Sequence, residues 1–261
     1  MNSRKTQFTI IGLLTIFVIA LVYGQFTKTS PQVSQPIVET PVQVEKIEKN
    51  TDVLTVEVTY PTVPGTIQEI KQTNESLKKL MDEKIAEFEK DAVDSTNAEL
   101  DIPKEVHSTV TGSPSIEEQN ERYVSIFVGM EWYLRGAAHP FHTIDTYVYD
   151  YQNKKLVTVP DLFKQGVDYV VVLSTLSKED LKAQLKQGDA EYVYNEEMVR
   201  EGAAPTKENF SKVLPTKDGL VIYFDEYQVA PYAAGPQQVV IPYAKLKDII
   251  DTESVLGFYF K

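Results

Sequence analysis

The stretch that decides the fold is residues 219–247, GLVIYFDEYQVAPYAAGPQQVVIPYAKLK. Two short apolar runs, at 220–224 and 238–243, have the length and composition of buried β-strands. They flank a loop at 225–237, which is long for a connection inside a compact domain. The stretch therefore predicts a strand–loop–strand unit whose loop is either functional or rigidified by its own packing.

The composition of this loop makes it a candidate binding element. Pro231 and Pro236 fix φ, and Gly235 permits a positive φ, so the backbone is restricted to a defined path. Tyr227 and Tyr232 carry aromatic rings with polar tips, which suit binding surfaces as well as sheet cores. These five residues are predicted to belong to a ligand-binding site.

The centre of the chain reads as a meander of antiparallel strands. Apolar side chains alternate strictly along 123–135, and a second strand at 141–151 follows the turn 136–140, so the two should form a hairpin. Apolar residues recur at helical spacing over 66–88, where Thr66 and Glu69 form a capping-box pattern. The sequence predicts an α+β fold: an antiparallel sheet meander with helices packed on one face, preceded by a single N-terminal transmembrane helix.

The N-terminal region has the pattern of a membrane anchor. Residues 8–24 are uncharged and would extend about 25 Å as a helix, close to the thickness of a bilayer core. Arg4 and Lys5 precede this run and favour a cytoplasmic location for residues 1–7, which places the rest of the chain outside. A cleaved signal peptide, which would give a secreted protein, is the alternative.

Two further segments follow the anchor. Residues 25–50 are polar, contain regularly spaced prolines and lack a continuous hydrophobic period, so they are predicted to be an extended linker. Period-two alternation begins just after this linker, and residues 51–261 are predicted to form the extracytoplasmic α+β domain.

Composition restricts the classes of function. The net charge of −12 over 261 residues argues against nucleic-acid binding, which needs clustered Lys and Arg, and would favour basic partners. The absence of cysteine excludes thiol nucleophiles, disulfides and cysteine-based zinc sites. No nucleophile-elbow, P-loop or dinucleotide-binding pattern is present, and we assign no catalytic residue.

One histidine pair could support chemistry. His139 lies in the turn of the hairpin and His142 at the start of its second strand, and Asp145 follows nearby, so the three could surround a metal ion in an envelope-acting hydrolase. Pro140 breaks both helix and ladder here, which leaves the side-chain directions undefined. Hydrogen-bonded structural histidines, or histidines in a ligand-binding site, are the alternatives, and we expect neither a metal nor a cofactor.

The stretch YQVAPYAAGPQQVVIPYAKLK, 227–247, resembles the C-terminal signature of a bacterial family of extracytoplasmic domains of unknown function. The GAAHP turn at 136–140 and the passage 150–163 resemble the middle of the same family. The family includes a domain of the lysozyme-binding anti-sigma factor RsiV and the N-terminal region of the peptidoglycan deacetylase PdaC. Residues 101–250 resemble the RsiV-like C-terminal domain, and residues 51–100 the domain that usually precedes it.

The resemblance implies a binding or sensory domain without catalytic activity, outside the bacterial cell membrane. The partner that it implies is a basic protein such as lysozyme, or a cell-wall component. Neither a sigma-binding segment nor a deacetylase module is recognisable in the 261 residues, so we expect the binding domain alone. The predicted ligand-binding residues are His139, His142, Tyr227, Pro231, Tyr232, Gly235 and Pro236.

Overall fold

The computed structural model describes residues 43–63, 65–98, 102–103, 105–186 and 194–260. In these ranges the chain forms a six-stranded sheet and a three-stranded sheet, together with four α-helices. The fold is mixed α+β, as the sequence predicts.

The predicted anchor at 8–24 and the segment 1–7 before it lie outside the described residues. Among the helices that the structure does describe, none combines the length and the apolar character needed to cross a bilayer.

The six-stranded sheet is mixed rather than purely antiparallel. Its second and third strands run parallel because a 30-residue helix, α1 (Gln68–Asn97), carries the chain back between them, whereas every other neighbouring pair is antiparallel. The prediction of an antiparallel sheet is therefore right for every neighbouring pair except β2 with β3, and the meander begins at the third strand. In spatial and chain order the strands are β1 (Gln43–Asn50), β2 (Leu54–Thr62), β3 (Ser108–Gln119), β4 (Tyr123–Tyr133), β5 (Phe141–Asp150) and β6 (Lys155–Leu156).

Strand β1 occupies the end of the stretch that the sequence assigned to the linker at 25–50. It is an edge strand, paired only with β2, and from Glu45 onward its side chains are exposed except for the half-buried Ile47. Since only Ile47 of the residues from Glu45 onward packs against the core, the sequence of β1 lacks the apolar alternation by which strands are recognised.

Helix α1 packs on the sheet through most of the apolar stripe that its sequence predicts, but Ile67 and Leu80, which belong to the predicted stripe, are exposed. Ile70, Leu77, Met81, Ile85 and Phe88 are all buried. The predicted capping box is wrong, because the helix begins at Gln68 and its N-cap position, Ile67, has no side-chain capping bond.

The predicted hairpin of β4 and β5 is confirmed, with Val128 opposite Asp145 and Glu131 opposite His142. Val124, Ile126, Val128, Met130 and Trp132 share a core with α1, whereas Tyr123 belongs to a second core on the other face. Both faces of β4 are therefore covered.

The second core is built by the C-terminal half of the chain. The strand–loop–strand unit is confirmed as β8 and β9, joined by a preceding strand, β7, that the sequence did not reveal. The buried Ser125 hydroxyl donates to the Pro215 carbonyl of β7 at 2.7 Å and connects the two sheets. The elements are β7 (Val213–Thr216), β8 (Gly219–Phe224), β9 (Gln237–Ile241), α2 (Tyr169–Leu185), α3 (Glu196–Gly202) and α4 (Tyr243–Leu246).

These elements correct the expectation that helices cover one face only. Helix α1 packs on one face of the six-stranded sheet, whereas the three-stranded sheet and α2 contribute to the core on the opposite face. The physical reason is that Tyr123, Ile144 and Val148 give that face an apolar surface, which must also be removed from water.

The packing of α1 makes a prediction with a matched control. Leu77 is 4% exposed and Leu80, on the same helix, is 44% exposed. Leu77→Ala should lower the free energy of unfolding by about 2–5 kcal/mol, whereas Leu80→Ala should change it by about 0.5 kcal/mol or less. Denaturant titration of both variants checks this, and equal losses would contradict the assigned register of α1.

Candidate functional site

A cleft of about 1050 Å³ lies between the six-stranded sheet and the loop that joins β8 to β9. Gly112 of β3 and Gly129 of β4 line it on the sheet side, and residues 232–238 line it on the loop side. Gly129 lacks a side chain on this face, so the sheet is recessed there and leaves space under the loop.

Strand alternation determines which side chains reach this cleft. In β4 the side chain of Trp132 packs in the α1 core, so the neighbouring Glu131 points to the opposite face. Glu131 is directly opposite His142 of β5, and both residues line the cleft. The cleft therefore lies on the sheet face opposite α1.

His142 is held between two carboxylates. Its Nδ1 is 2.7 Å from Oε1 of Glu226, which belongs to the β8–β9 loop, and its Nε2 is 3.1 Å from Oε2 of Glu131. The backbone N–H of His142 also donates to Oε2 of Glu226 at 3.1 Å. We call this group the His142 clamp; it joins β4, β5 and the loop at the cleft.

An aromatic row lies beside the clamp. The ring of Tyr232 stacks on His139 with centroids 4.0 Å apart and on Tyr227 with centroids 5.6 Å apart. The Tyr232 hydroxyl donates to the Pro140 carbonyl at 3.3 Å. The row thus connects the turn after β4 to the β8–β9 loop.

Tyr227 is the most unusual member of this row. Its backbone has φ of 62°, a region that bulky residues rarely adopt, and its side chain is 55% exposed. Strained backbone of this kind persists only where the surrounding structure imposes it, and it is concentrated at functional sites. The fold therefore presents an aromatic ring to solvent at an energetic cost.

The charges of the clamp also act on Tyr232. Loss of hydration, followed by the nearby charges of Glu226 and Glu131, raises the pKa of the Tyr232 hydroxyl above its ordinary value. The hydroxyl is protonated at neutral pH, as in an ordinary tyrosine, and acts as a hydrogen-bond donor.

Gln228 fixes the start of the loop. Its Oε1 accepts from the Asp225 N–H at 3.0 Å, and its Nε2 donates to the carbonyls of Gly202 at 2.9 Å and Asn209 at 3.4 Å. Asp225 also pairs with Lys212. These contacts hold the loop against α3 and position the aromatic row.

The structure brings most of the predicted ligand-binding residues together. His142, Tyr232, Gly235 and Pro236 line the cleft, and His139 and Tyr227 stack on Tyr232. Pro231 is the N-cap of the 3₁₀ turn Tyr232–Ala234 and so directs the aromatic row rather than lining the cleft.

The predicted grouping of His139, His142 and Asp145 is wrong. Asp145 lies three residues after His142 in β5, so its side chain leaves the opposite face of the sheet, where it pairs with Lys84 of α1. His139 Nδ1 contacts the Pro140 carbonyl instead. Within the described residues, no group of three or more His, Cys, Asp and Glu side chains has an arrangement that could hold a metal ion.

Sequence reasoning missed Glu131, Glu226 and Gln228. With 38 acidic residues in the chain, carboxylates carry little information individually. The usable signal was position: Glu226 and Gln228 flank Tyr227 in the loop already singled out, and Glu131 is the charged residue in the otherwise uncharged strand β4.

Two family models match the chain. Residues 47–142 match the family described as Deacetylase PdaC, and residues 160–244 match Protein of unknown function (DUF3298). Residues 160–244 are thus similar to DUF3298 domains. This match includes the loop and all of β7, β8 and β9, and it confirms the family resemblance that the sequence around the aromatic row predicted.

Two curated relatives carry the same family resemblance. The chain is 27% identical over 188 residues to peptidoglycan-N-acetylmuramic acid deacetylase PdaC of Bacillus subtilis strain 168, covering 71% of this chain and 38% of that protein. It is 35% identical over 108 residues to the anti-sigma-V factor RsiV of the same strain, covering 39% of this chain and 35% of RsiV. The chain thus spans well under half the length of either relative.

A solved DUF3298 structure has the same fold. The protein from Bacteroides fragilis NCTC 9343 superposes with a TM-score of 0.57 at 17% identity, covering 83% of this chain and 96% of that one. At this level of identity the similarity concerns the fold alone.

The anchoring of the β8–β9 loop can be tested at Gln228. Gln228→Ala removes three hydrogen bonds and should lower the free energy of unfolding by about 1–3 kcal/mol. Gln238→Ala is the control, since Gln238 is exposed and should change stability by about 0.5 kcal/mol or less. A Gln228 variant as stable as the control in urea titration would show that the loop is held by other contacts.

Proposed function

We propose that this protein is an extracytoplasmic binding or sensory protein of the cell envelope, without catalytic activity. Its partner is a basic protein such as a lysozyme, or a cell-wall component. The observation that carries the proposal is an exposed, stacked aromatic row beside an acidic cleft.

The aromatic row supports recognition because it is pre-organised. Stacking on both sides of Tyr232, the Pro231 turn and the Gln228 anchor fix the rings before a partner arrives. A partner therefore loses little affinity to the ordering of these side chains. Aromatic residues at such positions frequently dominate binding energies.

Charge supports the choice of a basic partner. Glu57, Glu131 and Glu226 line the cleft, and its described lining contains no lysine or arginine. The net charge of −12 would also accelerate association with a cationic protein, with a strong dependence on salt.

The position of His142 supports binding rather than hydrolysis. Both of its ring nitrogens already contact carboxylates, and His139 stacks on Tyr232 instead of facing His142 across a shared ligand. The alternative of a metal-dependent hydrolase centred on His139 and His142 would require these contacts to be replaced.

The proposed location outside the membrane rests on the sequence and on the relatives. The uncharged run at 8–24 would anchor the chain with the DUF3298-like domain outside, or be cleaved to release it. PdaC is named for an activity on peptidoglycan, a polymer of the cell envelope, which supports the same compartment.

Binding to lysozyme tests the proposal. Tyr227→Ala and Tyr232→Ala should each weaken the affinity of the full-length chain for a lysozyme about tenfold or more. Tyr194→Ala is the matched control, because Tyr194 does not line the cleft and should leave the affinity unchanged. Affinity is measured by interferometry at low and high salt, in parallel with soluble wall fragments. If neither ligand binds at low salt, the proposed function is wrong.

A further inference from the structure

Both ring nitrogens of His142 face carboxylates, although a neutral imidazole can donate a hydrogen bond to only one of them. A carboxylate only accepts hydrogen bonds, and a neutral imidazole has a single N–H. In the structure both ring nitrogens of His142 lie within hydrogen-bond distance of glutamate oxygens, at 2.7 and 3.1 Å. Both contacts are hydrogen bonds only if the ring carries two protons or one of the glutamates is protonated.

Several carboxylates surround the clamp, and an additional proton in it would balance part of their negative charge. Glu131 from β4, Glu226 from the loop and Glu57 from β2 contribute carboxylates, and Tyr232 contributes a neutral hydroxyl. The described residues that line the cleft include no lysine or arginine, so the additional proton of the clamp is the available counter-charge. Its removal would leave the carboxylates facing one another across the cleft.

The two carboxylates of the clamp would respond differently to loss of this proton. Glu226 is 7% exposed and also accepts from the backbone N–H of His142, so its attachment survives. The Glu131 side chain is 44% exposed, and among the described residues its hydrogen-bond contact is with His142 Nε2. Deprotonation would therefore release Glu131 toward the cleft.

We propose that a cationic side chain of the basic partner replaces the clamp proton, so that binding in the cleft releases a proton from the His142 clamp. The inference rests on the proposed function and adds that a lysine or arginine pairs with Glu131. Charge is conserved, because one positive group enters as one proton leaves to the solvent. Affinity then rises with pH over the range in which the clamp loses its proton.

Calorimetry with a lysozyme in two buffers of different ionisation enthalpy measures the protons released. At about pH 6 the wild-type chain should release about one proton more per complex than His142→Gln, because glutamine does not titrate. His107→Gln is the matched control: His107 does not line the cleft, so this variant should release protons as the wild type does. The affinity of the wild type should increase by up to about tenfold per pH unit, and that of His142→Gln more weakly.

The outcomes separate this inference from the proposed function. Binding with the same proton release in wild type and His142→Gln would overturn the inference alone, whereas absence of binding would overturn both. Nitrogen-15 spectra of the imidazoles test the unbound wild-type chain independently of any variant, and with three histidines the signals are few. A His142 ring carrying one proton at pH 6, without a protonated glutamate partner, would also overturn the inference.

Discussion

The structure depends on one constraint, the period-two alternation of side chains along β4 and β5 at the centre of the larger sheet. One set of side chains packs under α1, and the other set faces the C-terminal half of the chain. The same alternation sends Asp145 to Lys84 and His142 to Glu226 on opposite faces. A shift of either strand by one residue would exchange the two sets and remove both the core and the cleft.

The β8–β9 loop lies across the cleft from this sheet. Its own contacts with α3 fix one end, and the His142 clamp and the stacking of Tyr232 on His139 fix it to the hairpin. The residues that give the loop its sequence signature therefore have two roles, since they pack the loop and also present Tyr227 to solvent. The loop is therefore held in place by contacts within the chain, while the Tyr227 side chain remains accessible to a partner.

Local periodicity was sufficient to predict the β4–β5 hairpin, the buried stripe of α1 and the strand–loop–strand unit, because each is specified by neighbouring residues. Contacts between distant segments were not predictable in the same way. The parallel pairing of β2 with β3 and the contacts of His142 with both Glu131 and Glu226 depend on how separate elements come together. Strand β7 was missed because it contains Pro215, and proline is atypical of strands. The Pro215 carbonyl nevertheless has a structural role, since it accepts the hydrogen bond from buried Ser125.

The central claim is that the sheet face opposite α1, with the loop above it, is the surface that recognises a partner. Hydrogen–deuterium exchange of the full-length chain, alone and with saturating lysozyme, tests this claim directly. The account predicts slower exchange on binding at 136–142 and 225–238, with α1 unchanged. Protection confined to α1, with both of those segments unaffected, would contradict it.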